Sequence, residues 1–145
     1  LLTTATTGTV LQVVQGTYST EVSSSSSTYA DTGLSASITP SSASSKILVL
    51  VSHGTINKSS SNASNRMSIR LVRGSTTLTT PANGVLYTAT AINNRMGWSY
   101  NYLDSPSTTS STTYKTQFIS NDATSSVDVQ TNNTPSTITL MEIAG

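Results

Sequence analysis

Leu34-Ser-Ala-Ser-Ile-Thr-Pro40-Ser-Ser-Ala-Ser-Ser-Lys46-Ile-Leu-Val-Leu-Val51 carries the pattern that decides the fold. Leu34, Ala36 and Ile38 recur at every second position, the period that lines up side chains on one face of an extended strand. Pro40 has no backbone N–H to give to a sheet ladder, and the polar run Ser41 to Ser45 reads as a turn. The unbroken stretch Ile47 to Val51 then reads as a strand buried on both faces, hence a central strand running from Lys46 to Ser52.

The same grammar extends in both directions. Val10 to Gln15 is a first strand, and the Ser23 to Ser27 tract after it is a low-complexity loop. Met67, Ile69 and Leu71 alternate with Ser68, Arg70 and Val72, which sends one set inward and the arginine side toward water or a partner. Arg73-Gly74-Ser75 reads as a hairpin turn into Leu78. Val85 to Ile92 and Met96 to Leu103 read as a pair, turning at Asn93 and Asn94 because Asn tolerates left-handed backbone. Tyr114, Thr116 and Phe118 alternate with Lys115, Gln117 and Ile119, and the stretches Val127 to Gln130 and Ile138 to Ile143 complete the set. About nine short strands separated by clusters of Ser, Thr, Asn, Gly and Pro predict an all-β, antiparallel, jelly-roll-like β-sandwich.

Composition agrees. Hydrophobic residues make up 34% of the 145 and charged residues 9%, against roughly 45–50% and 25% in ordinary soluble domains. Ser, Thr and Asn fill the gap, which disfavours helix interiors. Disorder would require high net charge and few β-branched residues, whereas the formal charge is +1 and Val, Ile and Tyr recur throughout. The length suits one domain, with residues 1–8 as a small, Thr-rich N-terminal arm and 9–145 as the sandwich. No internal repeat points to a solenoid or propeller.

Several partners are disfavoured on the same grounds. Arg66, Arg70 and Arg73 form the only local basic cluster, too little for a phosphate backbone, so no nucleic-acid partner is expected. No stretch approaches ~20 apolar residues, and the N-terminus lacks the charged and apolar regions of a signal peptide, so no membrane insertion is expected. Without Cys there is no disulfide framework, and stability must come from packing and association.

The residues offer little chemistry. His53 is the only histidine, read as a strand-end or interface residue. A Ser-His-Asp set exists only as inventory, since Asp31, Asp104, Asp122 and Asp128 are available but no G-x-S-x-G frames a serine. The carboxylates, with Glu21 and Glu142, are scattered singly; Asp122 and Asp128 could meet across a hairpin, but structural turn roles are favoured. Phosphate, calcium, zinc and dinucleotide motifs are missing, so no catalytic, metal or cofactor residue is assigned. Asn57-Lys58-Ser59, Asn62-Ala63-Ser64 and Asn132-Asn133-Thr134 match the glycosylation pattern by chance and read as loops. The most informative group is Trp98, Tyr100 and Tyr102, which share one strand face with Met96. They suit a core or subunit interface better than a platform for stacking on sugar rings.

Taken together, Gly8-Thr-Val-Leu-Gln-Val-Val-Gln15, Asp31 to Pro40 with Ser41 to Val51, Arg70-Leu-Val-Arg-Gly-Ser75, Tyr102-Leu-Asp-Ser-Pro106, Thr112-Thr-Tyr-Lys-Thr-Gln117 and Thr137 to Gly145 resemble a tail-fibre-like β-sandwich domain of phage virion structural proteins, common in marine and cyanobacterial phages. The order of the segments carries the resemblance, which covers nearly all the chain beyond residue 8. It implies a non-enzymatic virion structural protein on the particle surface: a homotrimeric fibre or receptor-binding module in contact with itself, other virion proteins and a host surface glycan. A capsid decoration protein is the alternative, and a tailspike-type glycan-degrading enzyme a distant one. The first residue, Leu1 rather than Met, leans slightly toward a fragment of a longer fibre protein. The resemblance maps no catalytic motif onto this chain.

Overall fold

The structure, a computed structural model, describes residues 6–123 and 125–145. The first five residues of the expected arm 1–8 lie outside them. Ten strands follow among the described residues: β1 (Val10–Tyr18), β2 (Val22–Ser24), β3 (Ala30–Ile38), β4 (Lys46–Lys58), β5 (Met67–Arg73), β6 (Thr76–Val85), β7 (Asn94–Asp104), β8 (Thr112–Ser120), β9 (Val127–Val129) and β10 (Ser136–Ile143). A 3-10 turn at Thr131–Asn133 is the only helical element among them.

All pairings are antiparallel. The long strands form two sheets, β1-β10-β4-β7 and β3-β8-β5-β6. Apart from the hairpin between β5 and β6, each long strand passes the chain to the opposite sheet. That path is a jelly-roll sandwich, as the alternation predicts. Strand β4 is central in its sheet: β10 pairs with its first half, β9 with its last three residues, and β7 with most of its other edge. Short β2 extends this sheet beyond β9.

Inward-facing residues make two apolar lobes. One gathers Leu34, Ile38, Ile47, Val49, Val51, Leu71, Tyr114, Ile138 and Leu140; the other gathers Ile56, Met67, Ile69, Ala82, Leu86, Phe118, Val127 and Val129. Between them runs a buried polar belt, where Thr32 on β3, His53 on β4, Thr116 on β8, Ser136 on β10 and Gln130 all lie within 3% of full burial. Strands β4 and β8 switch from one lobe to the other across their belt residues, as in Val51-Ser-His53 followed by Ile56, or Tyr114-Lys-Thr116-Gln-Phe118.

The sheets are tied at both sides. At the β1–β3 side the approach is so close that a Cβ on Gly16 would lie 2.1 Å from the Ser35 carbonyl oxygen. At the β7 side, Asp104 Oδ2 accepts from Arg73 at 2.7 Å and from the Tyr114 hydroxyl at 2.6 Å. The Arg73-Gly74-Ser75 hairpin forms as expected, with Gly74 at φ +57°, a left-handed value that glycine adopts without steric cost.

Several expectations need correction. Strand β4 is not buried on both faces: Ile47, Val49 and Val51 are inward, while Leu48 is half-buried and Leu50 is 37% exposed. Val85 to Ile92 is not a strand, because β6 ends at Val85 and the chain turns through left-handed Leu86 and Ala89 instead of Asn93 and Asn94. The strand expected to pair with it, β7, lies against β4. Val22–Ser24, part of it inside the expected serine loop, is a strand. Asn57 and Lys58 belong to β4 and are buried, so that glycosylation-like triplet does not begin in a loop. The Arg70 side of β5 is mostly covered, since Ser68 and Val72 are buried, while half-buried Arg70 lies with its guanidinium 4.0 Å from the Tyr29 ring centroid and its Nε donating to Gln117 at 2.8 Å.

Candidate functional site

The outer face of the first sheet carries a row of apolar side chains. Cross-strand register places Val13 opposite Met141, Met141 opposite Leu48, and Leu48 opposite Leu103. These four residues form one row across β1, β10, β4 and β7, about 14 Å long at the usual strand spacing. Val13 is 54% and Leu103 52% exposed, Leu48 and Met141 are half-buried, and exposed Leu11 and Leu50 flank the row. Scattered apolar residues on a surface are ordinary, but an aligned row is the kind of patch that marks contact with another molecule.

Strand β7 also carries the aromatic stripe. Trp98, Tyr100 and Tyr102 sit opposite His53, Val51 and Val49, so they share the inward face of the sheet. All three are half-buried; Trp98 and Tyr102 pack on the apolar lobes, and the Trp98 and Tyr100 rings stack with centroids 6.1 Å apart. Met96, at the end of the stripe, is 44% exposed. Strand β7 pairs with β4 alone among the described residues, leaving its other edge without a strand.

His53 lies within β4 and inside the belt, not at a strand end or on the surface, because β4 runs five residues past it to Lys58. Its Nδ1–H donates to the Gln130 amide oxygen at 3.1 Å, which also accepts from Ser136, while the Gln130 nitrogen donates to the carbonyls of Thr32 and Val129 at 3.2 and 3.3 Å. Thr116 Oγ1, 3.2 Å from Nε2, donates to it, and Thr32 donates in turn to Thr116 over 2.6 Å. This tautomer satisfies the ring as a neutral imidazole. Burial, with no carboxylate beside it, pushes its pKa down to about 4.

All six carboxylates have structural partners. Glu21 accepts from the Asn132 backbone N–H, Asp31 from Lys115 and Gln117, Asp104 from Arg73 and Tyr114, Asp122 from Asn62, and Asp128 from Asn57. Asp122 and Asp128 are thus held by different amides. Glu142 is fully buried; burial alone would raise its carboxyl, but donation from Gln12 and from the Ser41 hydroxyl and backbone N–H holds it at about 2. No group of three His, Cys, Asp or Glu side chains that could hold a metal ion occurs among the described residues.

A recess at one end of the sandwich had no sequence signal. Its lining residues Ser64, Arg66, Asn83, Gly84, Tyr87 and Asn121 come from separate parts of the chain with no fixed spacing.

No protein-family model matches the chain, and no curated protein matches it. Among solved structures it is similar to the VP2 subviral particle of infectious bursal disease virus, with 16% identity and a TM-score of 0.48 over 92% of this chain and 38% of that one. T=1 particles derived from the same virus give 16% identity and a TM-score of 0.47 over 97% of this chain and 38% of that one. The T13 particle of infectious bursal disease virus gives 17% and 0.46, over 92% and 36%. The chain therefore spans little more than a third of the length of these viral chains. At such identities and TM-scores the likeness says nothing about what this chain does.

Proposed function

We propose that the chain is a non-enzymatic structural module of a virus particle surface, a homotrimeric fibre or receptor-binding component. The observation that carries self-association is the exposed row Val13, Met141, Leu48 and Leu103. A second copy is the occupant that fits it, because the row is uncharged and continuous across a regular sheet, and closed rings of identical subunits are the usual way to cover such a face. The setting, a phage particle, rests on the ordered resemblance of the sequence segments to phage virion domains. Within that reading, Trp98, Tyr100 and Tyr102 are interface residues, near an edge strand that another subunit can approach.

Multi-angle light scattering at micromolar concentration tests the reading: a trimer is expected. Leu48→Lys with Leu103→Lys should yield folded monomers, since both side chains face outward and leave the apolar lobes untouched. A wild-type chain that stays monomeric would refute the assembly.

A further inference from the structure

The end recess has a volume of about 430 Å³, within the range of sites that take small ligands. Its lining brings together the Arg66 guanidinium, the Asn83 and Asn121 amides and the Ser64 and Tyr87 hydroxyls. The hydroxyl of Ser68, 2% exposed beneath it, lies 2.8 Å from Asn121 Oδ1 and 3.3 Å from Asn83 Oδ1, and accepts from the Gly84 N–H at 3.1 Å. The single Ser68 proton goes to the nearer oxygen and holds the oxygen end of the Asn121 amide against the floor, and the side-chain nitrogens of Asn121 and Asn83 have no bond to another described residue. The ion pairs among the described residues engage Arg73 and Lys115, while the Arg66 guanidinium has none. Beside these donors stands Tyr87, 54% exposed.

The recess is also held in shape from below. Lys58, fully buried, donates from Nζ to the Ala63 carbonyl at 3.2 Å and to the Thr90 carbonyl at 3.1 Å, tying together the two connections that carry Arg66 and Tyr87. Asn65, also fully buried, donates to Ser126 and accepts from Ser120. Leu86 anchors Tyr87 by plugging into an apolar lobe. Gly84, at φ +74°, leaves room for the Arg66 side chain, whose Cδ would sit 3.0 Å from a Cβ at that position. A site whose walls are fixed before binding loses less entropy when a ligand arrives.

An unpaired guanidinium beside the Asn121 amide matches a carboxylate, which accepts two parallel bonds from arginine. An exposed phenol ring beside it matches the apolar face of a sugar ring. We propose that this recess binds a carboxylated sugar, with the carboxylate on Arg66 and Asn121, beside Asn83, and the ring on Tyr87. None of these residues belongs to the apolar row, so the site stands independently of the assembly.

Titration of the ¹⁵N-labelled full chain with glucuronate, alongside glucose and acetate, tests the proposal. The side-chain amide signals of Asn83 and Asn121 should shift with glucuronate at concentrations where glucose has no effect and acetate a weaker one. Arg66→Gln should weaken glucuronate at least about tenfold, the factor for one lost charge-assisted hydrogen bond. Tyr87→Ala should weaken glucuronate and leave acetate unchanged. Both variants alter exposed side chains, and their amide spectra report directly whether the fold is kept. Unmoved Asn83 and Asn121 signals, or glucuronate binding that is insensitive to Arg66→Gln, would overturn the site. Glucose binding as tightly as glucuronate would overturn the carboxylate assignment, and acetate doing so would overturn the sugar.

Discussion

Lowering the pH from 7 to 4 should weaken this fold through His53 alone by about 3 kcal/mol. Its pKa is about 4 in the folded protein against an ordinary 6.5, and each pH unit between the two is worth about 1.4 kcal/mol. The unfolded chain takes up the proton below 6.5, the folded chain only near 4. The stabilisation is therefore complete above pH 6.5, declines as pH falls through the interval, and is gone below about 4. The loss is a substantial part of the roughly 5–15 kcal/mol by which domains are stable. Urea unfolding at fixed protein concentration, repeated from pH 7.5 to 4, measures it. His53→Gln keeps a polar side chain in the belt but cannot titrate, so its stability should be lower at pH 7 and nearly flat across the window. If the wild type and His53→Gln lost stability in parallel between pH 6.5 and 4, buried neutral His53 would not be the cause.

Glu142 acts in a lower window: with its carboxyl held at about 2 against 4.5, it should contribute up to about 3 kcal/mol to the stability the wild type loses as pH falls from 4.5 to 2, and Glu142→Gln should lose less there in the same unfolding assay, the remainder coming from other paired carboxylates such as Asp31. Gly16→Ala should destabilise by about 1–3 kcal/mol, because its Cβ would press on the Ser35 carbonyl and push the sheets apart; a melting temperature equal to wild type would contradict the close approach. Trp98→Ala should cost about 2–3 kcal/mol, below the 3–5 of a fully buried large aromatic, since the ring is only half covered. Thermal melting run beside host-cell binding checks it, and an unchanged melting temperature with lost binding would turn the stripe into a receptor surface.

The parts of the fold legible in the sequence are those where water and core impose opposite demands on alternate residues. Leu34, Ala36 and Ile38 are buried and the Ser residues between them are not; Tyr114, Thr116 and Phe118 repeat the pattern. Alternation fixes the face of a strand but not its neighbour, which is why β7 was expected beside residues 85–92 when it lies beside β4. It also cannot distinguish a core from an apolar outer face: Leu48 and Leu50 read as buried because they are apolar, although they point out of this chain. Val22–Ser24 is too short to carry a period. The shared face of Trp98, Tyr100 and Tyr102 was legible, whereas the recess was not, because Arg66, Asn83, Tyr87 and Asn121 meet only after β5, β6 and β8 have paired.

The polar belt and the apolar row explain each other's presence in so polar a chain. Thr32, Thr116 and Ser136 are short hydroxyl residues that can be enclosed at modest cost because each finds a partner, and with His53 and Gln130 they close a network among themselves and nearby backbone carbonyls. A domain with 34% hydrophobic residues that needed every one of them for its own interior would have replaced the belt with Val or Leu before leaving Val13, Leu48, Leu103 and Met141 outside. It does the reverse, enclosing polar side chains and aligning apolar ones on an outer face. For an isolated subunit that exchange forfeits burial on both counts. In the proposed assembly of identical subunits the outer row would become a second core, and the exchange would be recovered there.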